Sequence, residues 1–406
     1  MVRAMTSDSS QFDVDVVVVG GGGHVGLPLG ISFADSGKRV ALYDINATVV
    51  GRINAGEMPF QERGAPDVLR RVLDAGLLEA TDKPNVIGRA EHVVVVIGTP
   101  IDEHLNPAGN VVPDAIERLA DCLRDGQLLV LRSTVYPGVT ALVERLIDRL
   151  GVDVDVAFCP ERIAEGHAMV ELRALPQIVA GRTRRAAERA AALFRSLTDE
   201  IVELSPEEAE LAKLFTNSWR YIKFAAANQF YMIANEFGLD FERIRAGLAH
   251  EYPRAADMPR AGFAAGPCLL KDTMQLAAFN NNNFALGHTS MIVNEGLPLY
   301  VVSRLEKRFD MSTMTVGLLG MAFKGESDDI RDSLSYKLKH ILELKAQAVL
   351  CTDPYVTDDP GLLPLEEVVD RSELLLIGAP HRQYAELTTT VPMIDIWGLT
   401  GSGTRV

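Results

Sequence analysis

The chain has 406 residues, enough for two or three domains, and its hydrophobic (47%) and charged (23%) fractions are those of an ordinary globular protein. A formal net charge of -15 argues against an extended nucleic-acid-binding surface while leaving room for a local basic pocket. Four scattered cysteines, Cys122, Cys159, Cys268 and Cys351, show neither metal-site spacing nor a secreted disulfide framework. They are read as reduced thiols, with no metal expected. The polar stretch Met1 to Gln11 lacks the apolar core of a signal peptide, and no apolar run approaches the roughly 20 residues of a membrane span. A cytoplasmic protein without membrane or nucleic-acid partners is expected.

Asp15-Val-Val-Val-Val19 reads as a buried parallel strand, a short β-branched run that stops at glycine. It leads into Gly21-x-Gly23-x-x-Gly26, with His24 and Val25 inside the turn. In the dinucleotide-binding pattern the first glycine makes the turn, the second admits the pyrophosphate and the third lets the helix pack close to the strand. The phosphates would then sit on the helix N-terminus. A helix from Ile31 to Gly37 and a second strand from Arg39 to Asp44 complete the unit. At the end of that strand, Asp44 can accept from both ribose hydroxyls and repel a 2′-phosphate, which favours NAD over NADP. A plain glycine-rich turn is the competing reading.

Strand-like runs at Val93 to Ile97 and Leu128 to Leu131 end in Gly98-Thr99-Pro100 and Ser133-Thr134-Val-Tyr-Pro-Gly138. In a doubly wound sheet, loops at the carboxyl ends of strands line the ligand crevice, so these two should face the cofactor; taken alone they would be hydroxyl-capped turns. Val154 to Phe158 is a further strand followed by Cys159-Pro-Glu161-Arg162, and Leu175 to Gly181 begins as a turn and ends as a strand. Ser205-Pro-Glu-Glu then starts a helix that runs to about Phe237 without proline or glycine, as a domain-crossing or dimer-forming helix would. Lys213 and Asn217, four apart, share one face of it.

Cys268 follows a Gly266-Pro267 turn and precedes Lys271 and Asp272. Gly262 and Gly266 permit tight turns and close ligand approach, proline fixes φ before the sulfur, and a nearby lysine favours the thiolate over a thiol of ordinary pKa about 8.5. A buried structural cysteine is the alternative. Short helices extend to about Phe309, after which Met314 to Gly320 opens a second strand-turn-helix unit. Its Lys324 and Arg331 are either a phosphate clamp or surface charge. Strand-like runs at Ala348 to Cys351, Leu374 to Gly378 and Met393 to Ile396 complete a second Rossmann-type domain without a full GxGxxG. The fold class is α/β: an N-terminal Rossmann domain (1–203), a central helical domain with a long helix (204–312) and a C-terminal Rossmann-like domain (313–406).

Taken together, Gly21-Gly-Gly-His-Val-Gly-Leu-Pro28, Ser133 to Gly138, Cys159-Pro-Glu-Arg162, Lys213 with Asn217, Gly266-Pro-Cys-Leu-Leu-Lys-Asp272, and Ala322-Phe-Lys324 with Asp328 to Ser333 resemble the UDP-glucose/GDP-mannose dehydrogenase family, over nearly the whole chain. The resemblance implies oxidation of a nucleotide-sugar C6 alcohol to a carboxylate with two NAD, through an enzyme thioester on Cys268. It implies that Lys213 and Asn217 stabilise the oxyanion, that Asp272 and Thr134 belong to the water and proton network, and that Glu161 assists thioester cleavage. Gly21, Gly23, His24, Val25, Gly26, Asp44, Thr99, Pro100, Ser133 and Thr134 would bind NAD. Arg162, Lys213, Arg254, Gly262, Lys324 and Arg331 would bind the UDP-sugar, Arg254 across the interface of a homodimer or larger homo-oligomer. Leu270 stands where the family often has proline, and Ala264-Ala265 replace a glycine-rich run, which bears on loop geometry rather than chemistry. The stretch from Cys159 to Val179 and Tyr252-Pro-Arg254 look more like the UDP-N-acetylhexosamine branch, whereas Lys271-Asp272 is common in UDP-glucose enzymes. UDP-N-acetylmannosamine is therefore expected first, UDP-N-acetylglucosamine second and UDP-glucose third. A single-step 3-hydroxyacid-type dehydrogenase and a non-catalytic NAD sensor are the competing functions.

Overall fold

The computed structural model describes residues 11–102, 109–401 and 403–406; apart from Gln11, the N-terminal stretch read above for a signal peptide lies outside the described residues. The chain divides into two compact units, Met1–Lys213 and Leu214–Val406.

In the first unit the chain runs β1 (Val14–Val19), α1 (Gly26–Asp35), β2 (Val40–Tyr43), α2 (Ala47–Asn54), α3 (Ala65–Asp74), β3 (Leu78–Thr81), β4 (Ala90–Val95), α4 (Val111–Arg118), β5 (Leu128–Leu131), α5 (Val139–Leu150), β6 (Asp155–Phe158), α6 (Ala168–Ala174), β7 (Gln177–Gly181), α7 (Arg184–Phe194) and β8 (Ile201–Leu204). The eight strands form one sheet in the order β3-β2-β1-β4-β5-β6-β7-β8, parallel except for the β6–β7 pair. Strand order reverses between β1 and β4, which opens a crevice at the carboxyl ends of those strands. The unbroken valine run of β1 is explained by burial on both faces. Val16 and Val18 belong to one core that includes Leu27, Leu42 and Phe194, while Val17 and Val19 belong to another that includes Val93, Leu129 and Ile147.

Helix α8 (Pro206–Glu236) contains the division between the units. Its start is a capping box, in which the Ser205 N–H donates to Glu208 at 2.8 Å and the Glu208 N–H donates to Ser205 Oγ at 3.4 Å. The chain continues through α9 (Phe241–Ala249), α10 (Leu269–Phe279), α11 (Ala285–Leu305), β9 (Thr315–Leu319), α12 (Leu334–Glu343), β10 (Ala348–Thr352), α13 (Leu365–Arg371), β11 (Leu374–Ile377) and β12 (Met393–Ile394). The second sheet is fully parallel, in the order β10-β9-β11-β12. Tyr231, Phe241, Leu297 and Val301 from the helices share a core with Val316, Leu318, Leu338 and Leu374, so the helical region and this sheet stabilise each other. Among the described residues no helix is long and apolar enough to cross a membrane.

Three local expectations change. Helix α1 begins at Gly26 rather than Ile31, because Pro28 falls in its first turn, where the missing N–H would have no intrahelical partner anyway. Strands β3 and β8 escaped the reading because each is four residues long and carries a charge within a weak apolar pattern. After β9 no helix follows the Gly320 turn directly; a loop runs to α12, whose N-cap Ser333 accepts from the Ser335 N–H at 3.2 Å.

Candidate active site

In the first unit, the glycine-rich turn joins β1 to α1 at the crevice. Gly26 is obligatory, since a Cβ there would lie 2.3 Å from the Gly20 carbonyl oxygen; Gly21 and Gly23 complete the turn, with Gly23 exposed. His24 stacks on Phe60 with ring centroids 4.0 Å apart, and Val25 is the N-cap residue of α1. Asp44 reaches back from the end of β2 to accept from the Gly22 N–H at 2.9 Å and the Asn46 N–H at 3.0 Å, and it stays partly exposed. A small-residue turn facing a fixed, solvent-reachable carboxylate fits the pyrophosphate and ribose of NAD. The loops after β4 and β5 are tied together: Thr99 Oγ1 donates to the Thr134 carbonyl at 2.6 Å, and Ser133 Oγ accepts from the Ile97 N–H at 2.8 Å. Exposed Pro100 follows Thr99.

Glu161 is buried at the end of β6. One carboxylate oxygen accepts from Arg132 Nε at 2.8 Å and from its Nη2; the other accepts from the N–H groups of Arg162 (2.6 Å) and Ile163 (2.9 Å). Arg132 is itself buried, donates to the Cys159 carbonyl and to Gln177, each at 3.1 Å, and lies over the Phe194 ring. The charge is thus paired and its lone pairs filled, as a buried ion requires. Arg162 is half-buried and donates to the Pro176 carbonyl. Thr134 belongs to a loop held from its far side by Glu210, a buried α8 carboxylate that accepts from the Gly138 N–H (2.6 Å), the Thr140 N–H (2.8 Å) and Thr140 Oγ1 (2.6 Å). An anion at the N-terminus of α5 meets its unsatisfied N–H groups and favourable dipole end. Half-buried Lys213 follows Glu210 by one helical turn.

In the second unit, Cys268 is the N-cap residue of α10 and is exposed. The other thiols differ: Cys159 and Cys351 are buried, and burial pushes them up to about 12 and about 11, whereas Cys122 is half-buried. A cysteine at a helix N-terminus has N–H groups and a dipole end that favour negative charge on sulfur. One turn into α10, buried Asp272 accepts from Asn217 Nδ2 at 2.5 Å and from Lys271 Nζ at 2.5 Å, and its own N–H donates to the Cys268 carbonyl at 2.9 Å. Asn217 of α8 and Asp272 of α10, 55 residues apart, therefore meet beside the cysteine turn. Asn228, a further α8 residue, exchanges two hydrogen bonds with the backbone of Gly262 (2.9 and 3.0 Å) and donates to Asn294, which donates to the Tyr221 carbonyl. The loop preceding Cys268 is thereby fastened to the same helix.

The loop after β9 carries Lys324 and Arg331. Lys324 Nζ lies over the Phe323 ring, and Arg331 forks onto buried Asp329, with Nε at 3.0 Å from both carboxylate oxygens. This loop touches the cysteine loop, since the Gly266 N–H donates to the Asp332 carbonyl at 3.3 Å. Arg254 is exposed, with Nε donating to Tyr252 Oη at 2.8 Å.

Comparison with known proteins fits all three regions. Profiles of the UDP-glucose/GDP-mannose dehydrogenase family match in order: the NAD binding domain at residues 14–198, the central domain at 207–295 and the UDP binding domain at 317–400. The chain belongs to this family. It is an NAD-dependent nucleotide-sugar dehydrogenase, an oxidoreductase acting on a CH–OH group. A UDP-N-acetyl-D-mannosamine dehydrogenase of Pyrococcus horikoshii is 31% identical over 91% of this chain and 90% of that protein, and one of Yersinia pestis is 29% identical over 91% and 94%. Among solved structures, the UDP-D-ManNAc dehydrogenase of Pyrococcus horikoshii gives a TM-score of 0.86 at 30% identity, covering 92% of this chain and 91% of that one. A UDP-glucose dehydrogenase of Pyrobaculum islandicum gives 0.88 at 25% identity, covering 99% of both.

Sequence reasoning about this nucleotide-sugar dehydrogenase passed over Arg132, Glu210 and Asn228. Glu210 alone left a usable signal: it is an acid one turn before Lys213, on the helix face that Lys213 and Asn217 share.

Proposed function

We propose that the enzyme oxidises the C6 alcohol of a UDP-N-acetylhexosamine to the carboxylate in two hydride transfers, with UDP-N-acetylmannosamine preferred, UDP-N-acetylglucosamine second and UDP-glucose third. The observation that carries the reading is the exposed Cys268 at a helix N-terminus, beside the Asn217–Asp272 hydrogen bond. The names of the relatives and the sequence between Cys159 and Val179 favour the N-acetylated sugars.

NAD, when bound, accepts a hydride from C6 in each oxidation. Lys213 and Asn217 stabilise negative charge on the C6 oxygen; one amide N–H of Asn217 is committed to Asp272, and the amide carries a second. Asp272 and Thr134 orient the water and proton network. Cys268 sulfur adds to the C6 aldehyde to give a thiohemiacetal, which still carries a hydrogen on C6 and can surrender a second hydride, leaving a thioester. Glu161 assists water in cleaving that thioester by giving up one of the hydrogen bonds it accepts from Arg132 and from the Arg162 and Ile163 N–H groups. Arg162, Gly262, Lys324 and Arg331 bind the UDP-sugar, the last two through its diphosphate.

The exposed apolar side chains Phe215, Trp219, Phe230 and Ile233 on α8, with Phe237 directly after it, support a homodimer, to which Arg254 contributes across the interface. Mixing Arg254→Ala with Cys268→Ala protein then restores part of the activity, and no restoration despite proven subunit exchange excludes the shared site. The function itself is tested by following NADH across a panel of UDP- and GDP-sugars. Two NADH per sugar, fastest with UDP-N-acetylmannosamine, is expected. One per sugar indicates a single-step dehydrogenase, none an NAD-binding sensor, and a catalytic efficiency with UDP-glucose at or above both N-acetylated sugars overturns the substrate order.

A further inference from the structure

The two sheets place an acidic residue at the same topological point and use it differently. Asp44 follows β2, the second strand of the first sheet, and Asp353 follows β10, the second strand of the other. Asp44 accepts from two N–H groups and stays partly exposed. The Asp353 side chain is fully buried and accepts from five donors. One oxygen takes the N–H groups of Met321 (2.6 Å) and Ala322 (3.0 Å) together with His381 Nε2 (3.0 Å), and the other takes the N–H groups of Tyr355 (2.8 Å) and Val356 (3.1 Å). The turn after β9, where a dinucleotide-binding domain would present N–H groups to a phosphate, is thus already filled by an internal carboxylate.

His381 extends the grip. Its ring is fully buried between Tyr355 and Tyr384, and its Nδ1 accepts from the Glu326 N–H at 2.9 Å. With Nδ1 acting as acceptor, the proton is on Nε2 and points at Asp353. Glu326 is held at φ 58°, and its carboxylate accepts from the Arg382 N–H at 2.8 Å. The segment 321–326 is therefore gripped at its start by Asp353 and at its end by His381, with Lys324 between the two anchors.

We propose that the Asp353–His381 pair is the positioning element that fixes the 321–326 loop, and Lys324 with it, for binding the diphosphate of a nucleotide. The inference rests on the functional reading above, in which Lys324 meets the UDP moiety. Neither residue touches the ligand; each acts through Lys324.

The test is calorimetric titration of the full chain with UDP alone, with NAD titration as control. His381→Leu, which removes both hydrogen bonds, is expected to weaken UDP about tenfold, the effect of losing about 1.4 kcal/mol, and to leave NAD affinity unchanged. His381→Gln, which can offer one acceptor and one donor, recovers most of the loss. In a Lys324→Ala background, His381→Leu adds little, because what it disorders is already gone. If His381→Leu protein does not fold, His381→Asn, too short to reach both partners, takes its place in the same cycle. Unchanged UDP affinity in the His381 variants, or losses that simply add to that of Lys324→Ala, overturns the proposal while the functional reading stands. Failure of the unsubstituted chain to bind UDP overturns that reading, and this inference with it.

Discussion

Gly266→Ala probes whether the cysteine loop is held by close backbone packing. Gly266 has φ +98°, and a Cβ built on it would lie 2.6 Å from Phe323 Cδ2. An L-residue forced into this region costs about 1–2 kcal/mol. Moving the Phe323 ring adds an overpacking cost of about 1–3 kcal/mol. The sum, about 2–5 kcal/mol, appears either as lost stability or as a displaced loop. Because Cys268 lies two residues on, displacement is expected to lower turnover at least tenfold, since each 1.36 kcal/mol in the barrier is a factor of ten. The two costs separate in a cycle with Phe323→Ala, measured by urea unfolding and by NADH production. In the Phe323→Ala background the clash vanishes, and only the dihedral cost of about 1–2 kcal/mol remains. A Gly266→Ala protein with unaltered unfolding midpoint and unaltered turnover refutes the packing argument, and a strictly additive cycle refutes the clash with Phe323.

Cys268→Ala is expected to abolish net NADH formation while UDP-sugar binding, followed by calorimetry, stays nearly intact; Cys268→Ser accumulates a slowly hydrolysed ester, and full turnover by the alanine variant excludes the covalent route. Asp44→Ala should narrow the preference for NAD over NADP in steady-state kinetics, and equal use of NADP by the unsubstituted enzyme contradicts the role given to this carboxylate. Burial works to raise the Asp353 carboxyl, but hydrogen bonds from His381 and the Ala322 and Tyr355 N–H groups hold it below its ordinary value. Its stabilisation is therefore complete above the unfolded carboxylate pKa of about 4 and is lost as pH falls through the lower folded value. Asp353→Asn should accordingly flatten the acid limb of the melting-temperature profile, and an unchanged slope rules this out.

Much of the fold was legible because its signals are local. The valine run of β1, the glycine-rich turn and the capping box at Ser205 each lie within a few consecutive residues, and each became a strand, a turn and a helix start where read. Legibility fell where a signal was weak or suggested the wrong continuation. β3 and β8 offer four residues each, and the glycine after β9 suggested a helix where a long loop carries Lys324 and Arg331. Lys213 and Asn217 could be placed on one helix face, but the meeting of Asn217 with Asp272 depends on how α8 and α10 pack, which no local pattern contains.

The residues that escaped the sequence share one physical task. Glu210, Asn228 and Asp353, like the Arg132-paired Glu161 that the sequence did offer, are buried polar side chains whose acceptor oxygens satisfy loop N–H groups. A loop shaped for a ligand cannot spend all its N–H groups in a ladder, and any that are buried must find an acceptor elsewhere. For three of these side chains the acceptor comes from far along the chain: Glu210 reaches back 72 residues to Gly138, Asn228 forward 34 to Gly262, and Asp353 back 32 to Met321. At such separations neither helical nor strand periodicity links donor to acceptor, so sequence shows only an acid or an amide at an apolar position. Read in reverse, a buried acid or amide at an apolar position points to a loop that it holds. Here the loops so held carry Thr134, Arg162, Cys268 and Lys324, which are residues the proposed chemistry requires.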